Sequence, residues 1–247
     1  MSRPPGIPAD ESLDTLYQGK LSILQSRAGY RFSLDALLLG HFVQIRARDK
    51  IADLGTGNGV IALLLATLRP TAQVVGIEIQ EAMVTRAIRN AKLNRLHQRV
   101  EIVQGDVRSI NDIFPAESFD VAVCNPPYRG LKSGRINPDW ERRVARHEIK
   151  GSLQDFLRAG AYLLRPKGRM ALIFPAARAV DLLQAMRTEG VEPKRLRLVH
   201  SAAGSAAALA LVEGTKGGRR ELDVMPPLVV YAADGGYTTE AKVILGE

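Results

Sequence analysis

The stretch Ile51-Ala52-Asp53-Leu54-Gly55-Thr56-Gly57-Asn58-Gly59-Val60 opens as a short apolar run and then breaks into three glycines at alternate positions. A helix-like apolar run, Val60 to Leu68, follows at once. Strand, glycine-rich turn and helix in that order describe a βα unit of an open α/β sheet, in which ligands sit at the carboxyl ends of the strands. Glycine in such a turn lets the backbone bend sharply and a ligand approach with no Cβ in the way. Val60 stands where a dinucleotide fingerprint, G-x-G-x-x-G, has its third glycine. A pyrophosphate also seeks bare N–H groups at a helix start, whereas Asp53 brings a carboxylate to this loop. The stretch disfavours a nicotinamide dinucleotide and favours a ligand with a cationic group.

Outward from this unit, strand and helix patterns alternate over 50–54, 60–68, 73–78, 80–95, 99–104, 119–124, 149–163 and 168–174. That alternation predicts a parallel sheet with helices on both faces. A helix over Ala176 to Glu189 follows, then two antiparallel strand candidates, Arg195 to His200 and Ala206 to Glu213, and a short strand, Leu228 to Tyr231. Ahead of the core, Leu13 to Gln25 alternates around a Gln18-Gly19 turn signal and reads as a β-hairpin. An apolar helix, Ala36 to Ile45, comes next, with Ser33 or Asp35 as its N-cap. Residues 1–48 are expected to form a hairpin-and-helix cap, and residues 49–247 the main domain, the two making one structural unit.

Three further signals follow the glycine loop in order. Gln73-Val74-Val75-Gly76-Ile77-Glu78 is a strand ending in an acid whose two oxygens suit a pair of ribose hydroxyls. Gly105-Asp106 closes the strand Val100 to Gln104; Asp106 can accept an adenine amine while the Val107 N–H donates to a ring nitrogen. Asn125-Pro126-Pro127-Tyr128 then ends the buried run Phe119-Asp120-Val121-Ala122-Val123-Cys124. Two prolines fix φ and withdraw two donors, so neither strand nor helix continues. The result is a rigid platform with an amide, a free carbonyl and an aromatic face, fit to hold and stack on a flat group bearing an N–H.

Asn125 to Tyr128 resembles motif IV of the S-adenosylmethionine-dependent amino-methyltransferases, and Asp53 to Gly59 resembles motif I of the class I methyltransferases. With Arg31-Phe32-Ser33-Leu34-Asp35-Ala36-Leu37-Leu38-Leu39, Ala145-Arg146-His147-Glu148 and the turn Arg165-Pro166-Lys167-Gly168-Arg169, the chain resembles the bacterial tRNA(Val) adenine N6-methyltransferase family over nearly its whole length. The resemblance implies a Rossmann-like class I fold with a mostly parallel seven-stranded sheet and an antiparallel C-terminal strand. It implies S-adenosyl-L-methionine as cofactor, bound by Asp35, Asp53, Gly55, Gly57, Gly59, Glu78, Asp106 and Val107. Asp53 would meet the methionine amino group, and Asp35 would lie over the same end or simply cap its helix. It implies catalysis by Asn125, Pro126 and Tyr128. His147 and Glu148 would orient a phosphate or anchor their loop.

Composition fits an enzyme of this kind. The chain has 247 residues, 46% hydrophobic and 24% charged, an ordinary globular balance. Its single cysteine, Cys124, excludes an intramolecular disulfide framework and fits a reducing compartment. No signal-peptide pattern opens the chain and no apolar run is long enough to span a bilayer, so a cytoplasmic location and no membrane partner are expected. His41, His97 and His200 lack metal-ligand spacing, so no metal is expected. The net charge of +8 is clustered: Arg129, Lys132, Arg135, Arg142, Arg143 and Arg146 follow the Tyr128 platform directly, where a nucleic-acid substrate must pass. These six are the expected RNA contacts, with tRNA the foremost partner. The smaller basic groups around Arg165, Lys194 and Lys216 read as solvated faces and loops.

The same chemistry serves other substrates, a release-factor glutamine or a ribosomal RNA guanine N2. A glutamine enzyme typically carries a helical bundle ahead of its core, where this chain has hairpin and helix patterns. A non-catalytic RNA-binding protein with the same fold would need none of Asp53, Glu78, Asp106 and Asn125.

Overall fold

Short aliphatic runs rich in valine and isoleucine, each closed by a glycine, an acid or a proline, become the strands of one large sheet. The structure, a computed structural model, describes residues 8–27, 34–126 and 151–247. A hairpin, β1 (Glu11–Leu16) and β2 (Leu21–Ser26), leads to α1 (Leu34–Phe42). Then come β3 (Lys50–Leu54), α2 (Val60–Leu68), β4 (Gln73–Glu78), α3 (Glu81–Leu93), β5 (Val100–Gln104) and β6 (Phe119–Cys124). The chain continues with α4 (Leu153–Leu163), β7 (Leu164–Pro175), α5 (Ala179–Thr188), β8 (Val191–Ala202) and β9 (Ala207–Lys216). Two short strands, β10 (Asp223–Val224) and β11 (Leu228–Tyr231), and a final helix, α6 (Thr239–Leu245), complete it.

The sheet runs β10-β8-β9-β7-β6-β3-β4-β5, with β11 also on β8. β3 to β7 are mutually parallel. β9 is antiparallel to both β7 and β8, so it is the expected antiparallel strand, set between two strands that precede it in sequence. β10 and β11 add parallel to the outer edge of β8, beyond the expected seven strands. The order reverses between β3 and β6: β4 and β5 lie to one side of β3, β6 and β7 to the other. Such a switch point opens a crevice above the strand ends.

α2 is apolar all round and buried from Val60 to Ala66, because the sheet lies on one side of it and α1 and the hairpin on the other. Leu37, Leu38, Leu63 and Leu64 form that layer with Leu21 and Ile23 of β2. Phe156, Leu157, Leu182 and Met186 cover the opposite face.

A lone two-stranded hairpin is marginal in water, and this one pairs with no strand of the large sheet. Side chains of α3 stand in for a third strand. Asn94 accepts the Ser22 N–H at 2.8 Å and donates to the Ser22 carbonyl at 2.7 Å. Asn90, one turn earlier, does the same for Leu24 at 2.7 and 3.1 Å. At the hairpin tip Tyr17 takes a φ of +53°, a region non-glycine residues seldom adopt. Its hydroxyl donates to the Ile244 carbonyl of α6 at 2.9 Å and also meets His41.

Several boundaries differ from the sequence reading. The helix expected over 149–163 starts at Leu153, where Ser152 and Asp155 form a reciprocal capping box. The helix expected from Ala176 starts at Ala179, after a 3₁₀ turn that follows Pro175. Asp35 lies inside the first turn of α1 rather than at its N-cap, a place where a carboxylate favours the helix dipole; Ser33, the other cap candidate, lies outside the described residues. The strand expected over 168–174 runs from Leu164 to Pro175, with the Arg165 to Gly168 turn bulging out where β6 residues Phe119 and Val121 pair with Leu164 and Arg169.

Candidate functional site

Register brings the expected signals to one edge. Leu54 pairs with Ile77 and with Cys124, and Glu78 pairs with Gln104, so the residues after β3, β4, β5 and β6 leave the sheet side by side. Asn125 therefore emerges next to Gly55, across the switch point.

The loop after β3 is anchored by the Gly55 and Thr56 N–H groups, which both donate to the Ile77 carbonyl at 2.8 and 3.0 Å. Gly55, Gly57 and Gly59 all take positive φ, at +73°, +58° and +83°. Gly59 is a packing position as well: a Cβ there would lie 3.3 Å from the Ala87 Cβ of α3. At Gly57 a Cβ would meet nothing within 4 Å. Its bare side faces open space, the side from which a ligand can reach backbone.

Asp53, the penultimate residue of β3, has no exposed surface. Its Oδ2 accepts from the Thr56 hydroxyl at 2.6 Å and from the Ala62 N–H at 3.1 Å. Its Oδ1 is buried without a partner. Burial pushes its pKa up to about 7; the two hydrogen bonds oppose the rise and the nearby Glu78 carboxylate adds to it. Glu78, itself buried, accepts the Gly57 N–H at 3.1 Å through Oε2, and the Gln80 N–H and side-chain amide at 2.9 and 3.0 Å through Oε1. The end of β4 thus holds the glycine loop from below.

Asp106 caps a 3₁₀ turn, Val107–Asp112, accepting the Arg108 N–H at 2.9 Å. The Arg108 guanidinium clasps the same carboxylate, with Nη2 at 2.5 Å, and holds its pKa below the usual carboxylate range. Val107 is buried beneath it. After β6, Pro126 is buried and Asn125 half-buried. Cys124, just before them, is fully buried, and burial together with Asp53 pushes its thiol pKa well up, which suits packing and not nucleophilic chemistry. Pro127, Tyr128, Arg129, Lys132, Arg135, Arg142, Arg143, Arg146, His147 and Glu148 lie outside the described residues.

The sequence reading missed residues that hold this edge together. Asn58, between two glycines of the loop, is buried; Asn90 donates to its carbonyl at 2.9 Å and Arg86 to its side-chain oxygen at 3.3 Å. Arg86 in turn meets buried Glu11 of β1 at 3.0 Å. The available signal was Arg86, Asn90 and Asn94 at four-residue spacing along one side of a helix.

The smaller basic groups are not simply solvated. Arg169 is buried against Asp49, at 2.5 Å, and Arg195 against buried Glu213, at 3.2 Å. Arg165, Arg197 and Lys216 pair with Asp120, Glu240 and Glu117. No helix among the described residues is long and apolar enough to cross a membrane.

Comparison with known proteins gives a consistent result. A family described as a methyltransferase domain matches residues 45–200. A tRNA1(Val) (adenine(37)-N6)-methyltransferase of Porphyromonas gingivalis is 33% identical over 230 residues, covering 90% of this chain and 89% of the relative. One of the same description from Tolumonas auensis is 30% identical, covering 76% and 77%. Among solved structures, a predicted O-methyltransferase from Agrobacterium tumefaciens superposes with a TM-score of 0.70 at 24% identity, covering 85% of this chain and 94% of its own, and shares the fold. TrmN from Thermus thermophilus superposes at 0.55 with 26% identity, covering 73% and 48%.

Proposed function

Because this chain belongs to the tRNA1(Val) (adenine(37)-N6)-methyltransferase family, we propose that it transfers a methyl group to N6 of an adenine in the tRNA(Val) anticodon loop, in the cytoplasm. The observation that carries this reading is the Asn125-Pro126 turn leaving β6 beside the glycine loop of β3, at the switch point of the sheet. A methyl acceptor held at Asn125 and a donor held over the loop would share one crevice.

The residues present fit S-adenosylmethionine as the donor. Asp53 Oδ1, buried and unpartnered, suits its ammonium group, and the bare side of Gly57 admits close approach. Glu78 Oε2 carries one hydrogen bond here and retains capacity for a ribose hydroxyl. Asp106 and the Val107 N–H would take the adenine end, with Arg108 competing for the Asp106 oxygens. Asp35 would close the methionine end from α1. The cap, residues 1–48, and the domain, residues 49–247, would work as one unit.

When bound, the cofactor supplies a methyl group activated by a sulfonium. The protein's task is to prepare the acceptor, because the lone pair of an adenine amine is delocalised into the ring. The Asn125 side-chain oxygen and the Pro126 carbonyl accept the two amine hydrogens, which favours a pyramidal nitrogen and aims its lone pair. Tyr128, outside the described residues, would stack on the base. Orientation supplies most of the acceleration, with electrostatic help as positive charge grows on nitrogen. No strong base is needed, since the methylated amine is far more acidic than the free one. A loop base is also cheaper to unstack than one in a duplex. The basic run from Arg129 to Arg146 would meet tRNA phosphates.

Transfer of labelled methyl to unmodified bacterial tRNA, followed by nucleoside analysis, tests the reading. N6-methyladenosine in tRNA(Val) is expected. Label that goes instead to ribosomal RNA or a release factor overturns the substrate, and no transfer to any of them overturns the reaction.

A further inference from the structure

We propose that the N-terminal hairpin positions the cofactor loop through α3, with Asn90, Arg86 and Glu11 as positioning residues; the inference rests on the cofactor reading above. Asn58 is flanked by two glycines at positive φ, a segment with large conformational freedom in the absence of outside bonds. Both of its oxygens are held by α3. Its carbonyl accepts from Asn90 Nδ2 at 2.9 Å, and its Oδ1 accepts from Arg86 Nη1 at 3.3 Å. The N–H of adjacent Gly57 donates to Glu78, so the place of Asn58 also sets how the loop meets that carboxylate.

Neither α3 residue is oriented by the helix alone. The amide torsion of an asparagine is broad. Asn90 is fixed because Oδ1 accepts the Leu24 N–H at 2.7 Å and Nδ2 donates to the Leu24 carbonyl at 3.1 Å, which leaves its second N–H aimed at Asn58. It has no exposed surface and no spare donor. Arg86 is fixed by Glu11, a buried carboxylate that also accepts from Arg89 at 2.8 Å. Two relays result, Leu24 to Asn90 to Asn58 and Glu11 to Arg86 to Asn58. Each begins on the hairpin and ends on the loop.

Attachment of the hairpin does not require this arrangement. Asn94 grips Ser22 with two bonds as short as those of Asn90, and its amide also donates to the Asn90 carbonyl within the helix. Asn94 is therefore a built-in control: its loss loosens the hairpin without removing a direct bond to the loop.

The experiment is calorimetric binding of S-adenosylhomocysteine to the full chain as wild type, Glu11→Ala and Asn94→Ala, with thermal melts to verify folding. Glu11→Ala is expected to raise Kd by about fivefold or more, the equivalent of roughly 1 kcal/mol, although Glu11 does not touch the loop. Asn94→Ala should stay within about twofold. KM for S-adenosylmethionine should rise in Glu11→Ala while kcat at saturation holds. Amide exchange at Gly57, Asn58 and Gly59 should quicken in Glu11→Ala and not in Asn94→Ala. Should Glu11→Ala fail to fold, Glu11→Gln keeps an acceptor while removing the charge, and is read by the same exchange and binding measurements. Equal shifts in the two variants, or a wild-type Kd in the Glu11 variant, overturn the relay and leave the cofactor reading standing. A wild type that does not bind S-adenosylhomocysteine overturns both.

Discussion

If Asp53 holds the ammonium of the cofactor, binding must be coupled to a proton. The carboxyl titrates at about 7 in the free protein because it is buried, and its Oδ1 has no donor to favour the charged form. At about pH 6 roughly one molecule in eleven carries the carboxylate, and at about pH 8 roughly ten in eleven. A cation seated on Oδ1 favours the ionised form, so binding expels the proton and tightens as pH rises. S-adenosylhomocysteine should bind about tenfold, or roughly 1.4 kcal/mol, more tightly at about pH 8 than at about pH 6. Titration calorimetry in two buffers of different ionisation enthalpy should report about 0.9 proton released at the lower pH and about 0.1 at the higher. Asp53→Asn should weaken binding and flatten both trends. A Kd that moves less than about twofold across this window, or a slope that persists in Asp53→Asn, refutes the assignment.

The same carboxyl fixes a stability trend of opposite sense. Its folded pKa lies above the unfolded value, so between the two the native state holds a proton that the unfolded chain has released. Asp53 thus contributes stability that is full below about pH 4 and is lost as pH rises through about 7, an upper bound of about 4 kcal/mol. Urea midpoints across that range should show a downward component that Asp53→Asn lacks.

If Asn125 holds the acceptor as proposed, Asn125→Ala should abolish methyl transfer while S-adenosylhomocysteine binds within about threefold of wild type; turnover at the wild-type rate sinks the mechanism. Gly57→Ala and Gly59→Ala should separate stability from binding. Each costs about 1–2 kcal/mol for a left-handed conformation, Gly59→Ala more because its Cβ meets Ala87, while Gly57→Ala puts a methyl group on the open side and should lose more affinity than stability. Asp49→Ala strands the buried Arg169 guanidinium and should cost about 3–5 kcal/mol in urea denaturation, with cofactor affinity unchanged because the pair lies at the opposite end of the sheet.

The features legible in the sequence are those that local chemistry decides. Alternating glycines at Gly55, Gly57 and Gly59 have no other common use than a turn at positive φ, and all three adopt it. Aliphatic runs closed by Glu78 or by Asn125-Pro126 end where the sheet ends, because the acid, the amide and the proline are poor continuations of a buried strand. Decisions resting on distant partners were not legible. The hairpin itself follows from Gln18-Gly19, but its docking depends on Asn90 meeting Leu24 across 66 positions. Arg169 reads as one basic residue of a loop until Asp49, 120 positions away, is placed against it. The start of α4 at Leu153 was set by a capping box at Ser152 and Asp155, which apolar periodicity alone overran. Arg108 escaped notice for a different reason: it binds its near neighbour Asp106, and an arginine in an exposed turn has too many partners to choose among by pattern.

The charge at the switch point argues for the kind of ligand independently of motif resemblance. Asp53, Glu78 and Asp106 lie at or just past the ends of three adjacent strands, and the Glu78 charge raises the cost of ionising Asp53. Glu78 is compensated by three donors and Asp106 by a guanidinium. Asp53 has two donors on one oxygen and none on the other, and meets the deficit by holding a proton over much of the acid range. A pyrophosphate placed over Gly57 would add charge of the same sign; at about 4 Å and an effective dielectric near 20, each such pair costs about 4 kcal/mol. A ligand bearing an ammonium and a sulfonium reverses that sign and supplies the donor Oδ1 lacks. By this reasoning NADH should fail to compete with S-adenosylhomocysteine even at millimolar concentration. Competition by NADH in the micromolar range would mean that the acids turn away from the crevice, and the electrostatic case for a cationic cofactor would fall with it.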